Sequence, residues 1–507
     1  MARIADAVRP RLARAADAAR LKVTRTGRPK AVSTWQYTAG AATVGLALAA
    51  GVVTAAGPWD STGQRTAERQ WAAAQERAGG ADHGRTSDSP RSSDAAAGAP
   101  RPAPSAPAVL TGLGGAATTA QTPPGGPALA ALLDPLLRDP SLGARRAAVV
   151  VDLAGGRRLY GTGADDALTP ASTTKLATAV AALSALGADH RLATRAVLEP
   201  DTRELILVGG GDPTLTARAD AGDWASLRTL AASTAAALRE RGLSEVTLSY
   251  DTSLYAGPVL HPIGQNENLA PVTALMVDEG RTDDSTAGTA IRATDPAADA
   301  ARRFADLLHA QGVRTKAPGP SKATQRAQTL ATVTSPPLSD LVERMLTNSD
   351  NDIAEHLARQ TALATGTRPD FAGGGEAIRR QLARLGLPLK GAVFKDGSGL
   401  DRTDRATAGL LTALLAKAAD PARPELRPVL TGLPVAGFTG TLTSRYTGGA
   451  AGLVRAKTGT LSGVNALAGT VVDPRGHVLA FAFLASGTTN ADAAQRALDK
   501  AATALAG

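Results

Sequence analysis

Three short groups of residues stand in order along the chain: Ser172-Thr173-Thr174-Lys175, Ser349-Asp350-Asn351 and Lys457-Thr458-Gly459-Thr460. A serine hydroxyl is a poor nucleophile until a neighbour takes its proton, and a lysine shielded from water can be neutral enough to do so. On a helix, residues three apart share one face, so Lys175 can reach Ser172. Ser172 in the first turn would also have a developing negative charge favoured by the helix dipole. Ser349 supplies a second hydroxyl to relay a proton to a leaving group, and Asn351 an amide to orient lysine and substrate. Lys457, with the hydroxyls of Thr458 and Thr460, offers a seat for a carboxylate, and Gly459 leaves room for close approach of a substrate. The backbone N–H groups of Ser172 and Thr460 are the natural oxyanion donors. The chemistry these residues suit is acyl transfer through serine, with lysine as the base.

Each group alone has a commoner meaning: a helix N-cap serine beside an exposed lysine, an Asx or Ser turn, a solvated lysine at a strand end. Their ordered occurrence favours catalysis. The chain also has 45 arginines and only 10 lysines, so most positive charge is carried by a group that does not deprotonate, and lysine at 175 and 457 needs a reason. A Ser-His-Asp hydrolase fits poorly, because no Gly-x-Ser-x-Gly elbow occurs and the six histidines are scattered. Asp352, Glu355 and His356 lack a metal-ligand spacing and read as helix-surface charges, so neither a metal nor a cofactor is expected. The absence of cysteine excludes disulfides and thiolate metal sites.

The net charge of +9 resides mostly in residues 1–34, which hold nine Lys or Arg against Asp6 and Asp17. With only 3% aromatic residues as well, no nucleic-acid partner is expected. Residues 35–59 form an uncharged stretch edged by Trp35, Tyr37 and Trp59, long enough for a transmembrane helix. The positive-inside rule then keeps the tail in the cytoplasm and everything after Trp59 outside, as a single-pass protein of the cell membrane. Secretion after signal cleavage is the alternative, since Thr54-Ala55-Ala56 has the small residues a signal peptidase needs. Residues 60–127 are rich in Ala, Pro, Gly and Ser and read as a disordered linker.

Folded structure is expected from about Ala128, with the 43% hydrophobic content enough for a sizeable core. A short helix leads to a hairpin, 147–153 with 157–161, and then to a helical run ending at Gly187. Near the far end, 465–473 and 477–486 read as a second hairpin, followed by a closing helix from Ala491 to Leu505. If the two hairpins pair, the ends of the folded region make one antiparallel sheet covered by helices, an α+β domain from 128–191 and 330–507. Residues 192–329, with their own strand and helix signals, are then an inserted accessory domain.

In order and surroundings the motifs resemble those of penicillin-recognising serine DD-peptidases. The long gap between the first two is similar to the class C low-molecular-mass penicillin-binding proteins, the penicillin-binding protein 4 type of D-alanyl-D-alanine carboxypeptidase and endopeptidase. Supporting text includes LTPASTTKL (168–176), LVGGGDPTL (207–215), SDNDIAEHL (349–357), DGSGLDR (396–402) and GFTGTLTSRY (437–446). The insert is short for that family, and the anchor and Pro-rich tether depart from its commonest form. The resemblance implies a serine β-lactamase/DD-peptidase-like fold and cleavage of the terminal D-Ala-D-Ala bond of peptidoglycan stem peptides. In it Ser172 would attack, Lys175 would act as base and Ser349 would help protonate departing D-alanine. Lys457, Thr458 and Thr460 would hold the C-terminal carboxylate, and β-lactams would acylate the same serine. DD-endopeptidase action would be a second outcome of this chemistry. The competing readings are a class A β-lactamase-like hydrolase and a catalytically silent wall-binding scaffold. DGSGLDR and GGGDP are read as structural turns without a catalytic role.

Overall fold

The computed structural model describes residues 126–316, 318–446 and 449–507. The basic tail (1–34), the apolar stretch (35–59) and the linker up to residue 125 lie outside the described residues. Among those described, no helix is long and apolar enough to cross a membrane. In chain order, helix α1 (Gly126–Leu137) leads to strands β1 (Arg145–Asp152) and β2 (Arg158–Thr162) and to helix α2 (Thr174–Leu186). The middle adds β3 (Ala193–Leu198), β4 (Glu204–Val208), α3 (Leu227–Glu240), β5 (Glu245–Asp251), α4 (Pro296–Ala310) and β6 (Gln328–Thr334). Four helices follow: α5 (Leu338–Asn348), α6 (Asn351–Ala364), α7 (Phe371–Arg384) and α8 (Ala408–Ala419). The chain closes with β7 (Val454–Leu461), β8 (Val464–Val472), β9 (Val478–Ser486) and α9 (Ala491–Ala506).

The first and last strands form one five-stranded antiparallel sheet in the order β2-β1-β9-β8-β7. Its inner strands read as continuous apolar runs because both faces are covered, and period-two alternation then sorts residues between two cores instead of between core and water. Along β9, Ala480, Ala482 and Leu484 pack with the helical layer around α2. Leu479, Phe481, Phe483 and Ala485 pack with α1 and α9 on the other side. Helix α1 begins two residues inside the expected linker: Leu129, Leu133 and Leu137 recur at helical spacing and bury, and Pro127 is tolerated because the first turn needs no N–H bond.

The middle of the chain builds a second sheet, with β5-β4-β3-β6 as its main path and β4 parallel to β5. Strand β6 pairs with β3 over Ala193–Leu198 and runs to Thr334, so the boundary expected at 329/330 falls inside a strand. Between β5 and α4 the chain is largely irregular, and this stretch reaches the cleft described below.

Helix α2 is buried on every side from Thr174 to Leu183, as an apolar helix in the middle of a layer must be. Its second residue is Lys175, which is fully buried for that reason.

The fold predicts a large cost for emptying the α1/α9 core. Phe481, fully buried with its ring centroid 5.0 Å from that of Phe483, should lose about 3–5 kcal/mol of stability on Phe481→Ala. Chemical denaturation would read this as a lower midpoint at unchanged slope, and an unaltered midpoint would contradict the packing.

Candidate active site

Ser172 lies in a 3-10 turn, Ala171–Thr173, immediately before α2, not in the first turn of the α-helix itself. The preceding residue, Ala171, is buried with φ 48°, in the left-handed region that non-glycine residues disfavour. Lys175 Nζ stands 3.0 Å from Ser172 Oγ, 2.6 Å from Asn351 Oδ1 and 2.7 Å from the Ser398 carbonyl oxygen. The two carbonyl oxygens can only accept. A neutral amine at Nζ must therefore spend both N–H bonds on Asn351 and Ser398, which leaves its lone pair facing Ser172, the one partner with a proton to give. Burial pushes the Lys175 pKa down to about 8, against the pull of the Asp396, Asp350, Glu355 and Asp352 carboxylates.

The Asn351 amide is oriented from its other end, where Nδ2 donates to the Asn268 carbonyl at 2.9 Å. Asn351 opens α6, and Asp350 caps that helix by accepting from Ile353 N–H. Ser349 closes α5 with φ 59°, a left-handed C-cap position usually given to glycine, and this conformation lets α6 start two residues later in a new direction.

Strand β7 is the edge of its sheet, and Lys457 on it is fully buried, its Nζ donating to Ser349 Oγ and to the Thr458 carbonyl, each at 2.8 Å. Burial pushes the Lys457 pKa well below its ordinary value, and the charges of Lys175 and Arg445 push the same way. Gly459 does not face open space: a Cβ there would come within 2.7 Å of the Pro170 carbonyl and 3.2 Å of Ala171 Cβ. Its missing side chain lets β7 pack against the turn that carries Ser172, which corrects the expectation of room for a substrate.

A cleft of about 420 Å³ opens over these groups. Ser172, Ser349, Asn351 and Thr460 line it, together with Asn268 and Arg292 from the middle of the chain. The two lysines lie buried behind its surface. Thr458 is absent from the lining; its hydroxyl donates to Thr441 Oγ1 at 3.1 Å.

Asp352, Glu355 and His356 are not surface charges: all three are essentially buried. Asp352 pairs with Arg292 at 2.8 Å and accepts from Ala270 N–H. Glu355 accepts from Gly397 and Ser398 N–H, and His356 Nδ1 lies 2.9 Å from the Gly211 carbonyl. Burial drives the His356 pKa down to about 3, so that ring is neutral and serves as a tie. The sequence misled because α6 sits between the layers, where a polar helix face meets polar loops from the middle of the chain.

Sequence reasoning also missed backbone contributors, chiefly the carbonyls of Ser398 and Asn268. The clustered glycines of DGSGLDR were the available signal. Gly399 has φ +81° and a Cβ there would meet the Ala171 carbonyl at 2.0 Å, a close approach only glycine permits.

The D-Ala-D-Ala carboxypeptidase 3 (S13) family matches residues 129–288 and 282–506. A carboxypeptidase of Mycobacterium tuberculosis is 36% identical over 401 residues, covering 76% of this chain and 86% of the relative. The D-alanyl-D-alanine carboxypeptidase of an Actinomadura species is 32% identical over 441 residues, 70% of this chain and 80% of its own. Among solved structures, penicillin binding protein 4 from Haemophilus influenzae superposes with a TM-score of 0.60 at 23% identity, over 74% of this chain and 97% of its own, a likeness of fold. The chain thus joins a mixed α/β architecture to a serine in the cleft with a buried lysine behind it, and it belongs to the D-Ala-D-Ala carboxypeptidase (S13) family.

Proposed function

We infer that the chain is a serine-type D-Ala-D-Ala carboxypeptidase that trims peptidoglycan stem peptides through an acyl-enzyme on Ser172. The observation that carries this is the Lys175 environment: a buried amine 3.0 Å from the Ser172 hydroxyl, with its two other partners carbonyl oxygens. Ser172 Oγ attacks the carbonyl carbon of the penultimate D-alanine as its proton passes to Lys175 Nζ. The oxyanion takes hydrogen bonds from the Ser172 and Thr460 N–H groups. Collapse breaks the C–N bond; Ser349 Oγ, held by Lys457, gives its proton to the departing D-alanine nitrogen and takes back the one that Lys175 received from Ser172, so that Lys175 is neutral again. Water then attacks the ester as one of its protons passes to Lys175 Nζ, and that proton goes on to Ser172 Oγ as the acyl–oxygen bond breaks and the shortened peptide leaves.

The two amines share one constraint. Burial and mutual repulsion make it costly for both to be charged, and a substrate carboxylate near Lys457 favours the proton there, leaving Lys175 neutral. Thr460 faces the cleft and suits the carboxylate; Thr458 acts through its tie to Thr441. A β-lactam enters the same steps, except that the leaving nitrogen remains tethered to the acyl group.

In this reading the five-stranded sheet and its helices form a DD-peptidase-like catalytic domain, and the middle segment an inserted domain that contributes Asn268 to the cleft. The apolar stretch 35–59 anchors the protein in the cell membrane, with the catalytic part outside and residues 60–125 as a tether.

Fluorescent penicillin should label the wild-type protein and not Ser172→Ala, and only the wild type should release D-alanine from a D-Ala-D-Ala peptide; equal labelling would refute Ser172 as nucleophile. Because the neutral amine is the reactive form, labelling should speed up as pH rises through about 8, where about half of Lys175 is deprotonated, against well under 1% for an unperturbed lysine. A rate flat from pH 6 to 9 would contradict that role. For attachment, the full chain should stay in the membrane fraction after an alkaline wash, whereas recovery from the medium of a chain beginning after Ala56 would show cleavage.

A further inference from the structure

The turn that presents the Ser398 carbonyl to Lys175 is held by two carboxylates and a histidine. Glu355 Oε1 accepts from Gly397 N–H at 3.0 Å and Ser398 N–H at 2.9 Å. Asp396 accepts from Gly399 N–H at 2.6 Å through Oδ1 and from Asp401 N–H at 2.7 Å through Oδ2. A further partner of Asp396 comes from the irregular stretch of the middle segment: His261 Nε2 lies 3.0 Å from Asp396 Oδ2, both side chains buried. Ile263 N–H approaches His261 Nδ1 at 3.2 Å, which makes Nδ1 an acceptor and leaves Nε2–H to donate to the carboxylate. The ring is wedged edge-on against Phe371, centroids 5.0 Å apart.

Asp396 therefore uses both oxygens to hold its own turn, and two side chains meet that carboxylate from outside the turn: Asp404, close by in the chain, and His261, from the middle segment. The same turn packs on the Ser172 segment, since Gly399 meets the Ala171 carbonyl and Thr178 Oγ1 donates to the Gly397 carbonyl at 2.6 Å. A loose turn would withdraw the Ser398 carbonyl from Lys175 and free one N–H bond, so the lone pair would no longer be aimed at Ser172.

We propose that His261 is a positioning residue for the Lys175 base: by holding Asp396 it fixes the 396–399 turn, and through the Ser398 carbonyl it keeps the Lys175 lone pair directed at the Ser172 hydroxyl. The inserted segment thereby supplies part of the catalytic geometry without touching substrate. The inference rests on Ser172 and Lys175 acting as nucleophile and base.

The test measures penicillin acylation of the full chain as a function of penicillin concentration, which separates the limiting rate from the half-saturating concentration. His261→Leu should lower the limiting rate by about tenfold or more while the half-saturating concentration and the finally labelled fraction stay within about twofold. His261→Gln, whose amide N–H can still reach Asp396, should recover most of the rate. His261→Asn, too short to reach, should be as slow as His261→Leu and replaces it if the leucine variant does not fold. A wild-type limiting rate in His261→Leu or His261→Asn, equal slowness in His261→Gln, or a loss confined to the labelled fraction would each overturn the proposal. If the wild-type chain is not acylated at all, the failure lies with the acyl-serine reading instead.

Discussion

The structure depends on keeping an amine out of water with a serine hydroxyl at its lone pair. Lys175 is buried because it stands in the first turn of a helix enclosed on every side, and desolvation of the ammonium is the largest influence on its pKa. Geometry converts that neutrality into direction. With Asn351 and Ser398 offering carbonyl oxygens only, the Ser172 hydroxyl is the sole partner able to donate into the lone pair.

The surrounding architecture can be understood as the means of assembling this arrangement from distant parts of the chain. The sheet joins its first strands to its last, and so brings Lys457 on β7 against the Ser172 turn, with Gly459 permitting the approach. The left-handed Ser349 sets its hydroxyl at the α5–α6 corner, within 2.8 Å of Lys457 Nζ. The middle segment then reaches back to the site at Asn268 against Asn351, at His261 against Asp396, and at Ala270 and Arg292 against Asp352. Arginines line this boundary, with Arg281 on Glu279 and Arg292 on Asp352 each at 2.8 Å, where these two buried acids cluster with Asp350.

Much of this was legible in the residues. The paired hairpins and closing helix were visible because β-branched and apolar runs alternate with Gly and Pro turns. The three motifs were legible because side chains perform that chemistry. What escaped was carried by the backbone or by burial. The Ser398 and Asn268 carbonyls leave no side-chain signature. Asp352, Glu355 and His356 looked like surface charges because a helix buried by loops keeps polar residues wherever those loops offer N–H and C=O groups. Gly459 had been given to the substrate, whereas its space belongs to Pro170.

The central claim is that Lys175 is an amine of lowered pKa, and it can be observed without any substrate. With only 10 lysines in the chain, selective isotope labelling of lysine and NMR titration of the purified protein would resolve its side-chain signal, identified by its loss in Lys175→Arg. That signal should titrate near pH 8. A Lys175 still fully protonated at pH 10 would contradict the account.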